Sequence, residues 1–552
     1  MNHPERDDEL VFLPLGGSGE IGMNFNAYGY GPPDDRKWIV VDCGVLFGNE
    51  ATTPGIELIV PDIKYLAERR ENVLAIIATH AHEDHIGAIP YLWPRLRCPI
   101  YATPFTARII EGKLDDAGLF AEAPVTRVPL GGTVSVGSFS VEYISITHSI
   151  PEPNGLAVRT PLGTVLHTGD WKLDPDPLLG EPTDSEAFRR LGDEGVLAMV
   201  CDSTNTLIGG ESGSEAVLRD SLIELIGGLA GRIAVAAFSS NVARLDTVAK
   251  AARRYGRRVA LVGRSMHKFT AAARSAGYLR DFPDLIDEAE AANLPPHKIL
   301  YLCTGSQGEA RAALTRIAAN EHRHVRLGAG DAAIFSARII PGNDLAIFDV
   351  QNRLSAQGVE IFSVESHFVH VSGHPCRDEL EKMYAWARPR IAVPVHGERR
   401  HMASHASLAR SLQVPEVAIP ENGQVLRLAP GRVQVVDEVH FERIHIDGRI
   451  LVNASEGVTR RRRSMGVGGF IGITIVVGKN GRPVADPILM FEGVPDAVHQ
   501  PVCRAVFDCV RQHAPRRDDR EALMEATRRA ARRAAEKAWG KKPITRVEIV
   551  AI

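Results

Sequence analysis

Short apolar runs that end in polar residues dominate the chain between residues 10 and 202. Examples are LVFLPLGG, KWIVVDCG, VLAIIATH, SVEYISITH, GTVLHTGD and VLAMVCDS. Apolar runs of this length between glycine-containing turns are typical of β-strands. Because several of these runs end in His or Asp, the pattern predicts a sheet-based α/β sandwich with functional side chains at its strand ends.

A second pattern occupies residues 205–365. Strand-like runs such as RIAVAAF, RVALVG and KILYLCTG alternate there with helical stretches such as VARLDTVAKAARRYG. This repetition predicts a parallel, doubly wound α/β unit. The first pattern returns at about residue 366, in HFVHVSGHP and RIAVPVHGE. We therefore predict that residues 205–365 are inserted into a domain made of residues 1–204 and 366–440.

The last part of the chain is predicted to fold separately. Residues 441–452 resemble a linker, and residues 453–552 are predicted to form a small α+β domain. Its pattern indicates two strands, helices over 496–513 and 518–539, and a final strand, TRVEIVAI. This domain contains no cluster of catalytic residue types.

Composition adds little to this picture but excludes some classes of protein. Apolar residues make up 44% of the chain and charged residues 24%, with a net charge of −4, which is ordinary for a globular protein. No apolar run is long enough for a transmembrane helix, and the N-terminus lacks the layout of a signal peptide. The seven cysteines are dispersed, which predicts reduced thiols in a cytoplasmic protein. The basic stretches 460–463 and 516–542 are either solvated surface or local contacts to nucleic acid.

The segment His80-x-His82-x-Asp84-His85 follows the apolar run VLAIIA. Imidazole nitrogens and carboxylate oxygens are the ligands that bind zinc and similar ions. Four such groups within six residues, at a predicted strand-to-helix turn, can face two adjacent ions. A polar loop with surface histidines is the weaker interpretation.

Further candidate ligands occupy the same position relative to other predicted strands. A single His or Asp at a strand end is usually an ordinary hydrogen-bonded residue, but four of them beside the first cluster favour a metal pair. They are Asp42, His148, Asp170 and His396.

The order of these residues resembles the motifs of the metallo-β-lactamase superfamily. The resemblance implies that one ion is held by His80, His82 and His148. It implies that Asp84 and His85 hold a second ion, together with a further histidine for which His396 is the candidate. Asp170 would bridge the ions, and Asp42 would orient a ligand, as carboxylates outside the ligand shell do.

Three more motifs resemble the β-CASP branch of that superfamily. They are Asp202 in MVCDSTN, His374 in HVSGHP and His396 in PVHGE. Members with histidine at the last motif are typically RNA nucleases. Stretches such as FLPLGGSGEIGMN, THAHEDHIGAIPYL, HTGDWKLD and TGSQGE resemble bacterial ribonuclease J over nearly the whole chain. The resemblance implies a metallo-β-lactamase αββα sandwich with an inserted β-CASP α/β domain and a small C-terminal domain.

The resemblance also assigns roles to individual residues. The predicted catalytic residues are Asp42, Asp84, Asp170, Asp202 and His374. A histidine suits proton transfer near neutral pH, so His374 would position the scissile phosphate or protonate the leaving group. We expect His374 at the start of the helix CRDELEKMYAWA, where free N–H groups favour an anion.

A pocket for a 5′-monophosphate is expected where the two domains meet. Small hydroxyl-rich turns after strands can hold phosphate, and an arginine offers a matching fork of donors, although such turns are common without a ligand. The candidates are Ser239, Ser240, Asn241, Arg264, Ser306, His370, Ser372 and His374.

Together these features imply a two-metal ribonuclease of RNA processing and decay. It would act as a 5′-to-3′ exonuclease that prefers a 5′-monophosphate and as an endonuclease on single-stranded RNA. Zn²⁺ is the expected ion, with Mn²⁺ or Mg²⁺ as alternatives. A homodimer or homotetramer, contacts to other RNA-degradation proteins and no membrane association are also expected. The alternatives are a small-molecule hydrolase of the same fold and an inactive RNA-binding scaffold.

Overall fold

The structure of the chain is a computed structural model that describes residues 8–512 and 520–552. Contacts between residues divide the chain into two compact units. Among the described residues, the first unit contains those up to Leu46 together with Val60–Phe441, and the second contains Phe47–Ile59 and those from Glu442 onward. All predicted site residues belong to the first unit.

Two mixed sheets form the centre of the first unit. The first sheet has eight strands, in the spatial order Gln434–Glu438, Gln424–Ala429, Glu9–Gly16, Phe25–Gly31, Lys37–Val41, Val73–Ile77, Ile100–Ala102 and Val125–Arg127. The second has seven, in the order Thr133–Val136, Phe139–Ser145, Asn154–Thr160, Gly163–His167, Val196–Asp202, Ile391–Val395 and Glu416–Val417. Phe12 and Tyr28 of the first sheet share one buried core with Tyr143 and Val158 of the second.

Helices complete the sandwich. Phe188 and Leu380, from two helices, pack with Met199 on the second sheet in a separate buried cluster, and the helix Pro104–Asp116 contacts strands of the first sheet. The predicted αββα sandwich is confirmed. Its helices are Lys64–Ala67, Glu83–Ile86, Ile89–Leu96, Pro104–Asp116, Ser185–Glu194, Arg377–Ala387 and Arg399–Ser411, with a 3-10 turn at Arg70–Asn72.

A five-stranded parallel sheet is inserted into this sandwich. Strands Val196–Asp202 and Ile391–Val395 are hydrogen-bonded neighbours, and the inserted sheet lies between them in sequence. Its spatial order is Arg258–Val262, Ile299–Cys303, Ile233–Ala236, Ala332–Phe335 and Glu360–Phe362. The accompanying helices are Glu215–Gly228, Val242–Arg254, Arg264–Ser275, Glu288–Ala292, Ala313–Ala318 and Asp344–Ala356, with a 3-10 turn at Pro296–Lys298.

The strand Ile233–Ala236 is the centre of the inserted sheet. The chain next forms Arg258–Val262 on one side of it and later forms Ala332–Phe335 on the other side. The connections therefore diverge at the central strand. In open parallel sheets, ligands bind beyond the carboxyl ends of the strands at such a point, which is where Ser239 and Ser240 follow the strand.

The second unit contains a three-stranded sheet and two long helices. The strands have the order Ile488–Glu492, Phe470–Val477 and Ile544–Ala551, and one face packs on the helices Asp496–Gln512 and Arg520–Trp539. The predicted order of elements is observed, although the predicted helix ends at 513 and 518 lie outside the described residues. The helix Val458–Gly468 was not predicted. No helix in the described part of the chain is both long and apolar enough to cross a membrane.

Residues 441–452 are structured, which differs from the predicted linker. Arg443–Asp447 and Ile450–Asn453 form an antiparallel hairpin, followed by a 3-10 turn at Ala454–Glu456. The hairpin belongs to a four-stranded sheet with Leu58–Pro61 and Leu46–Phe47. Local sequence gives no sign of this pairing because the partner strands come from a distant part of the chain.

Candidate metal centre

The loop between the strand Val73–Ile77 and the helix Glu83–Ile86 carries the first motif. His80 lies in the loop, His82 precedes the helix in extended conformation, and Asp84 and His85 lie in its first turn. The Asp42 carboxylate fixes the start of the loop, because it accepts hydrogen bonds from the Thr79 backbone N–H at 2.8 Å and from its hydroxyl at 2.9 Å. The change from strand to helix therefore directs all four side chains toward one place.

Three imidazoles form the first cluster. Nδ1 of His82 lies 3.0 Å from Nε2 of His80 and 3.1 Å from Nε2 of His148. Burial lowers the pKa of His82 to about 4 and lowers the pKa values of His80 and His148 well below their usual range. Three neutral imidazoles that converge in this way present lone pairs to one point, which fits a zinc-like ion.

The second cluster mixes carboxylates and imidazoles. Nε2 of His85 lies 3.1 Å from Asp170 Oδ2, and Nε2 of His396 lies 3.3 Å from Asp84 Oδ2. Burial opposes a charge on both histidines, but Asp170 and Asp84 outweigh it. They hold the pKa of His85 well above its usual range, and with Asp202 they raise the pKa of His396 to about 10. The carboxylates of this cluster therefore stabilise positive charge on the histidines. A divalent cation could supply that positive charge in place of the histidine protons.

Two buried residues orient the second cluster from behind. Asp42 Oδ2 lies 2.7 Å from Nδ1 of His85, so Nε2 of His85 is the nitrogen that faces Asp170. The side-chain amide of Asn24 donates to the Asp84 carbonyl at 3.1 Å and lies 3.0 Å from His85 Nε2. Sequence analysis missed Asn24, because an asparagine after a glycine-rich turn gives no local signal of this contact.

Asp202 and His374 form a pair beside the second cluster. Nδ1 of His374 lies 2.8 Å from Asp202 Oδ2, and the Thr204 N–H and hydroxyl donate to Oδ1 at 2.8 and 2.7 Å. Burial opposes a charge on His374, but Asp202 and then Asp170 outweigh it and raise the pKa of His374. One potential ligand atom from each of Asp170, Asp202, His374 and His396 lies within 4.8 Å of the others.

The predicted position of His374 at a helix start is wrong. The helix begins at Arg377 and Cys376 precedes it. The buried carboxylate of Glu379 accepts hydrogen bonds from the backbone N–H groups of Cys376 at 2.7 Å and Ser212 at 3.0 Å. The Glu379 carboxylate therefore occupies the start of this helix, which was expected to bind the phosphate.

His396 is held by the glycine-rich turn at the N-terminal end of the chain. Its backbone N–H donates to the Gly17 carbonyl at 2.6 Å, and Gly397–Glu398 pairs with Ser18–Gly19. His396 itself has a positive φ of 49°, a conformation that costs a non-glycine residue energy. The turn therefore fixes the position of His396 beside Asp84, although the turn and His396 are far apart in sequence.

Several predicted phosphate-binding residues lie at the carboxyl edge of the inserted sheet. Ser239 and Ser240 follow the central strand, and Ser306 follows its neighbour Ile299–Cys303. Nδ1 of His370 is buried and has no hydrogen-bond partner among the described residues. The Ser372 hydroxyl accepts from Asn205 at 2.8 Å and from the His374 N–H at 3.1 Å.

Two predicted members of this group differ from the others, one in its contacts and one in its position. The Asn241 side chain accepts from the Arg244 N–H at 3.0 Å and donates to Glu215 at 3.3 Å, so both of its polar groups are used inside the protein. Arg264 follows the edge strand Arg258–Val262, two strands from the centre, and lines a separate cavity. The sequence does not reveal the spatial order of strands, which is why Arg264 was placed with the others.

Arg338 is a residue of this edge that sequence analysis missed. It follows the strand Ala332–Phe335, the other neighbour of the central strand. Its guanidinium donates to Asn205 at 2.6 Å. Burial and then the cations of Arg244 and Arg338 hold the pKa of His370 well below its usual range. An arginine in a loop gives no signal of such a position without the strand order.

Comparison with known proteins assigns families to three segments of the chain. Residues 26–230 match the metallo-beta-lactamase superfamily. Residues 230–354 match the ribonuclease J beta-CASP domain, and residues 364–420 match the Zn-dependent metallo-hydrolase RNA specificity domain.

Whole-chain comparison gives relatives of nearly the same length. A ribonuclease J of Sinorhizobium meliloti is 46% identical over 99% of this chain and 98% of its own. A ribonuclease J of Mycolicibacterium smegmatis is 38% identical over 88% of this chain and 86% of its own. The ribonuclease J 1 of Streptococcus pyogenes is 37% identical over 88% of this chain and 87% of its own. A solved structure of a protein of unknown function from Enterococcus faecalis has a similar fold, with a TM-score of 0.51, 16% identity, and coverage of 76% of this chain and all of that one.

Proposed function

The chain belongs to the ribonuclease J family of metal-dependent enzymes that hydrolyse RNA, and we propose that it binds two divalent ions, degrades RNA from a 5′-monophosphorylated end and also cleaves RNA internally. The observation that carries this proposal is the pair of adjacent clusters, one of three imidazoles and one that mixes histidines with carboxylates. A small-molecule hydrolase and an inactive scaffold are not supported as alternatives.

The proposed ligands follow the geometry of the clusters. His80, His82 and His148 would hold one ion, Asp84, His85 and His396 the other, and Asp170 would lie between them. When bound, divalent ions supply Lewis acidity toward the phosphate and an activated water. We propose Zn²⁺ because three neutral imidazoles suit it, with Mn²⁺ or Mg²⁺ as alternatives.

The proposed role of His374 is to give a proton to the leaving oxygen or to hold the scissile phosphate. Asp202 engages Nδ1 of the ring at 2.8 Å, so Nε2 is the nitrogen available to the substrate. A histidine held in one orientation by a carboxylate is suited to either role. Asp202 would then act through His374, and Asp42 would act through His85 in the same way.

The proposed end-binding pocket consists of Ser239, Ser240, Ser306, Arg338, His370 and Ser372. Support comes from the buried ring nitrogen of His370, which has no partner among the described residues. Further support comes from two serine-containing turns where the sheet connections diverge, one with Ser239 and Ser240 and one with Ser306. Arg338 is added to the predicted set, and Asn241 and Arg264 are left out. A pocket that recognises the 5′-phosphate would place the first phosphodiester of the RNA at the metal centre.

Two further parts of the proposal concern assembly and location. The strands Ile488–Glu492 and Ile544–Ala551 leave Ile488, Met490 and Val550 exposed, and we propose that this surface supports a homodimer or homotetramer. None of the seven cysteines, all of which are among the described residues, forms a disulfide bond, which suits a reducing compartment such as the cytoplasm. We also propose contacts to other RNA-degradation proteins.

The test uses one RNA sequence with a 5′-monophosphate, with a 5′-triphosphate and as a circle, each with divalent metal and with chelator. We expect mononucleotides from the 5′-monophosphate RNA only, internal fragments from the circle, and no products with chelator. Equal release of mononucleotides from both linear forms would contradict the end preference. Absence of hydrolysis of every RNA by metal-loaded protein would contradict the whole proposal.

A further inference from the structure

A large basic cavity lies at the carboxyl edge of the inserted sheet, beyond its two outermost strands on one side. Its volume is about 1310 Å³, and Gly263 and Thr304 in its wall directly follow the strands Arg258–Val262 and Ile299–Cys303. Pockets for small ligands usually measure about 300–1,000 Å³. The cavity is therefore larger than one phosphate or one mononucleotide requires.

The wall of this cavity is more basic than the chain as a whole. It contains five basic side chains, Arg264, Lys268, Arg311, Arg316 and Arg323, against three acidic ones, Asp116, Glu288 and Glu321, although the chain carries a net charge of −4. Lys268 pairs with Asp116, and the remaining four basic side chains are accompanied by two acidic ones, so the wall keeps an excess of positive charge.

The chemistry of the wall fits single-stranded RNA. Arginine guanidinium groups match phosphate oxygens in pairs. The guanidinium plane of arginine and the imidazole ring of histidine also provide flat surfaces on which unpaired bases can stack. His267 and His324 lie in the wall beside the arginines. The helix Arg264–Ser275 begins there without a side-chain cap, and this favours negative charge.

One helix connects the cavity with the metal motif. Lys113 of the helix Pro104–Asp116 donates to the carboxylate of Glu83, between His82 and Asp84, at 2.6 Å. Asp116 on the same helix pairs with Lys268 in the cavity wall. Residues three apart on a helix lie about 4.5 Å apart along its axis, so the two contacts are neighbours on one element.

We propose that this cavity is a second RNA-binding site, which holds a single-stranded segment on the 3′ side of the bond that is cleaved. The proposal rests on the ribonuclease function above. A segment that is joined covalently to the nucleotides at the metal centre binds at high effective concentration, so the second site would raise the affinity for long RNA without contact to the reacting atoms.

The test measures binding of 5′-monophosphorylated RNAs of increasing length, from a pentamer to a 30-mer, to the full chain carrying Asp84→Asn to prevent hydrolysis. Arg316→Gln with Arg323→Gln removes two charges from the wall. Arg280→Gln with Arg353→Gln, which removes two exposed charges elsewhere on the inserted domain, is the matched control.

We expect the wall variant to bind the 30-mer about tenfold more weakly and the pentamer within twofold of the parent. Because each phosphate contact on a single strand contributes about −0.7 to the slope of log K against log salt, the slope should become shallower by about 1.4. Arg316→Lys with Arg323→Lys should restore the affinity for the 30-mer, and the retained pentamer binding would show that the Gln variant is folded.

Equal weakening for pentamer and 30-mer, equal weakening by the control variant, or unchanged affinity for the 30-mer would each overturn the second site. These outcomes differ from a failure of the proposed function, which the unmodified chain would reveal as absence of pentamer hydrolysis with metal present.

Discussion

Nδ1 of His374 lies 2.8 Å from Oδ2 of Asp202, and the other oxygen of that carboxylate accepts two hydrogen bonds from Thr204. Both oxygens of Asp202 are therefore engaged, and the ring of His374 has a fixed orientation. The same ring nitrogen is 3.8 Å from Asp170. His374, the proposed proton donor, therefore lies close to Asp170, the residue expected to lie between the ions.

His374→Gln is expected to lower the rate of RNA hydrolysis by about 10²–10⁴-fold, the usual contribution of a general acid or base. Metal content should remain unchanged, because Nδ1 already faces a carboxylate rather than the imidazole cluster. Single-turnover hydrolysis and elemental analysis of the same preparation would check both expectations. A parallel loss of metal and activity would instead make His374 a ligand.

Asp42→Asn is expected to weaken metal binding by about 10–100-fold, as loss of a group that orients a ligand usually does. Asparagine would present an N–H group to Nδ1 of His85, which favours the tautomer with its proton on Nε2, the nitrogen that faces Asp170. Competition with a chelator would measure the change. Asp437→Asn, at an exposed position, is the control and should retain the affinity of the unmodified chain.

Asp84→Ala with His85→Ala should abolish hydrolysis and leave RNA binding within about threefold, because both side chains belong to the metal cluster and removal of its ligands removes the catalytic ion. Binding of a non-hydrolysed RNA and its hydrolysis would be measured side by side. A far-ultraviolet spectrum equal to that of the unmodified chain is the control for folding. Residual hydrolysis above about 10% would contradict the assignment of these ligands.

His370→Ala tests the end-binding pocket. The buried Nδ1 of His370 has no partner among the described residues, so its removal should take a hydrogen bond from the 5′-phosphate without breaking one inside the protein. We expect kcat/KM for 5′-monophosphorylated RNA to fall about tenfold, the cost of roughly one hydrogen bond to a charged group, and cleavage of circular RNA to stay the same. His367→Ala, in the exposed part of the same loop, should change neither activity.

The sequence indicated which histidines and aspartates lie close together because these residues share a local signature. Each candidate ligand follows a short apolar run, and parallel strands bring their carboxyl ends to one edge of a sheet. His80, His148 and His396 could therefore be recognised one by one, and the structure brings their side chains together.

Other features depend on contacts between segments that are far apart in sequence, and no local pattern predicts such contacts. Arg264 lies apart from Ser239 because its strand is at the edge of the inserted sheet, and strand order is set by packing of the whole domain. The hairpin in residues 441–452 likewise depends on a partner strand from early in the chain. Asn24 and Arg338 reach the site only because the fold brings distant parts of the chain together.

A buried histidine away from the ligands predicts how stability depends on pH. His405 is fully buried, between the hydroxyls of Ser203 and Tyr384 at 2.9 Å each, and burial lowers its pKa to about 4. Between pH 4 and 6.5 the unfolded chain binds a proton that the folded chain does not. This contribution to stability is therefore complete above pH 6.5 and is lost as the pH falls toward 4.

His405→Gln should remove this dependence. Between pH 7.5 and 5, the free energy of unfolding of the unmodified chain should fall by about 2 kcal/mol more than that of the variant. Urea unfolding at the two pH values would measure the difference, which does not depend on how far the substitution destabilises the fold at neutral pH. Tyr384→Phe keeps His405 buried and should behave like the unmodified chain. Equal losses in the unmodified chain and His405→Gln would show that His405 does not bind its proton on unfolding.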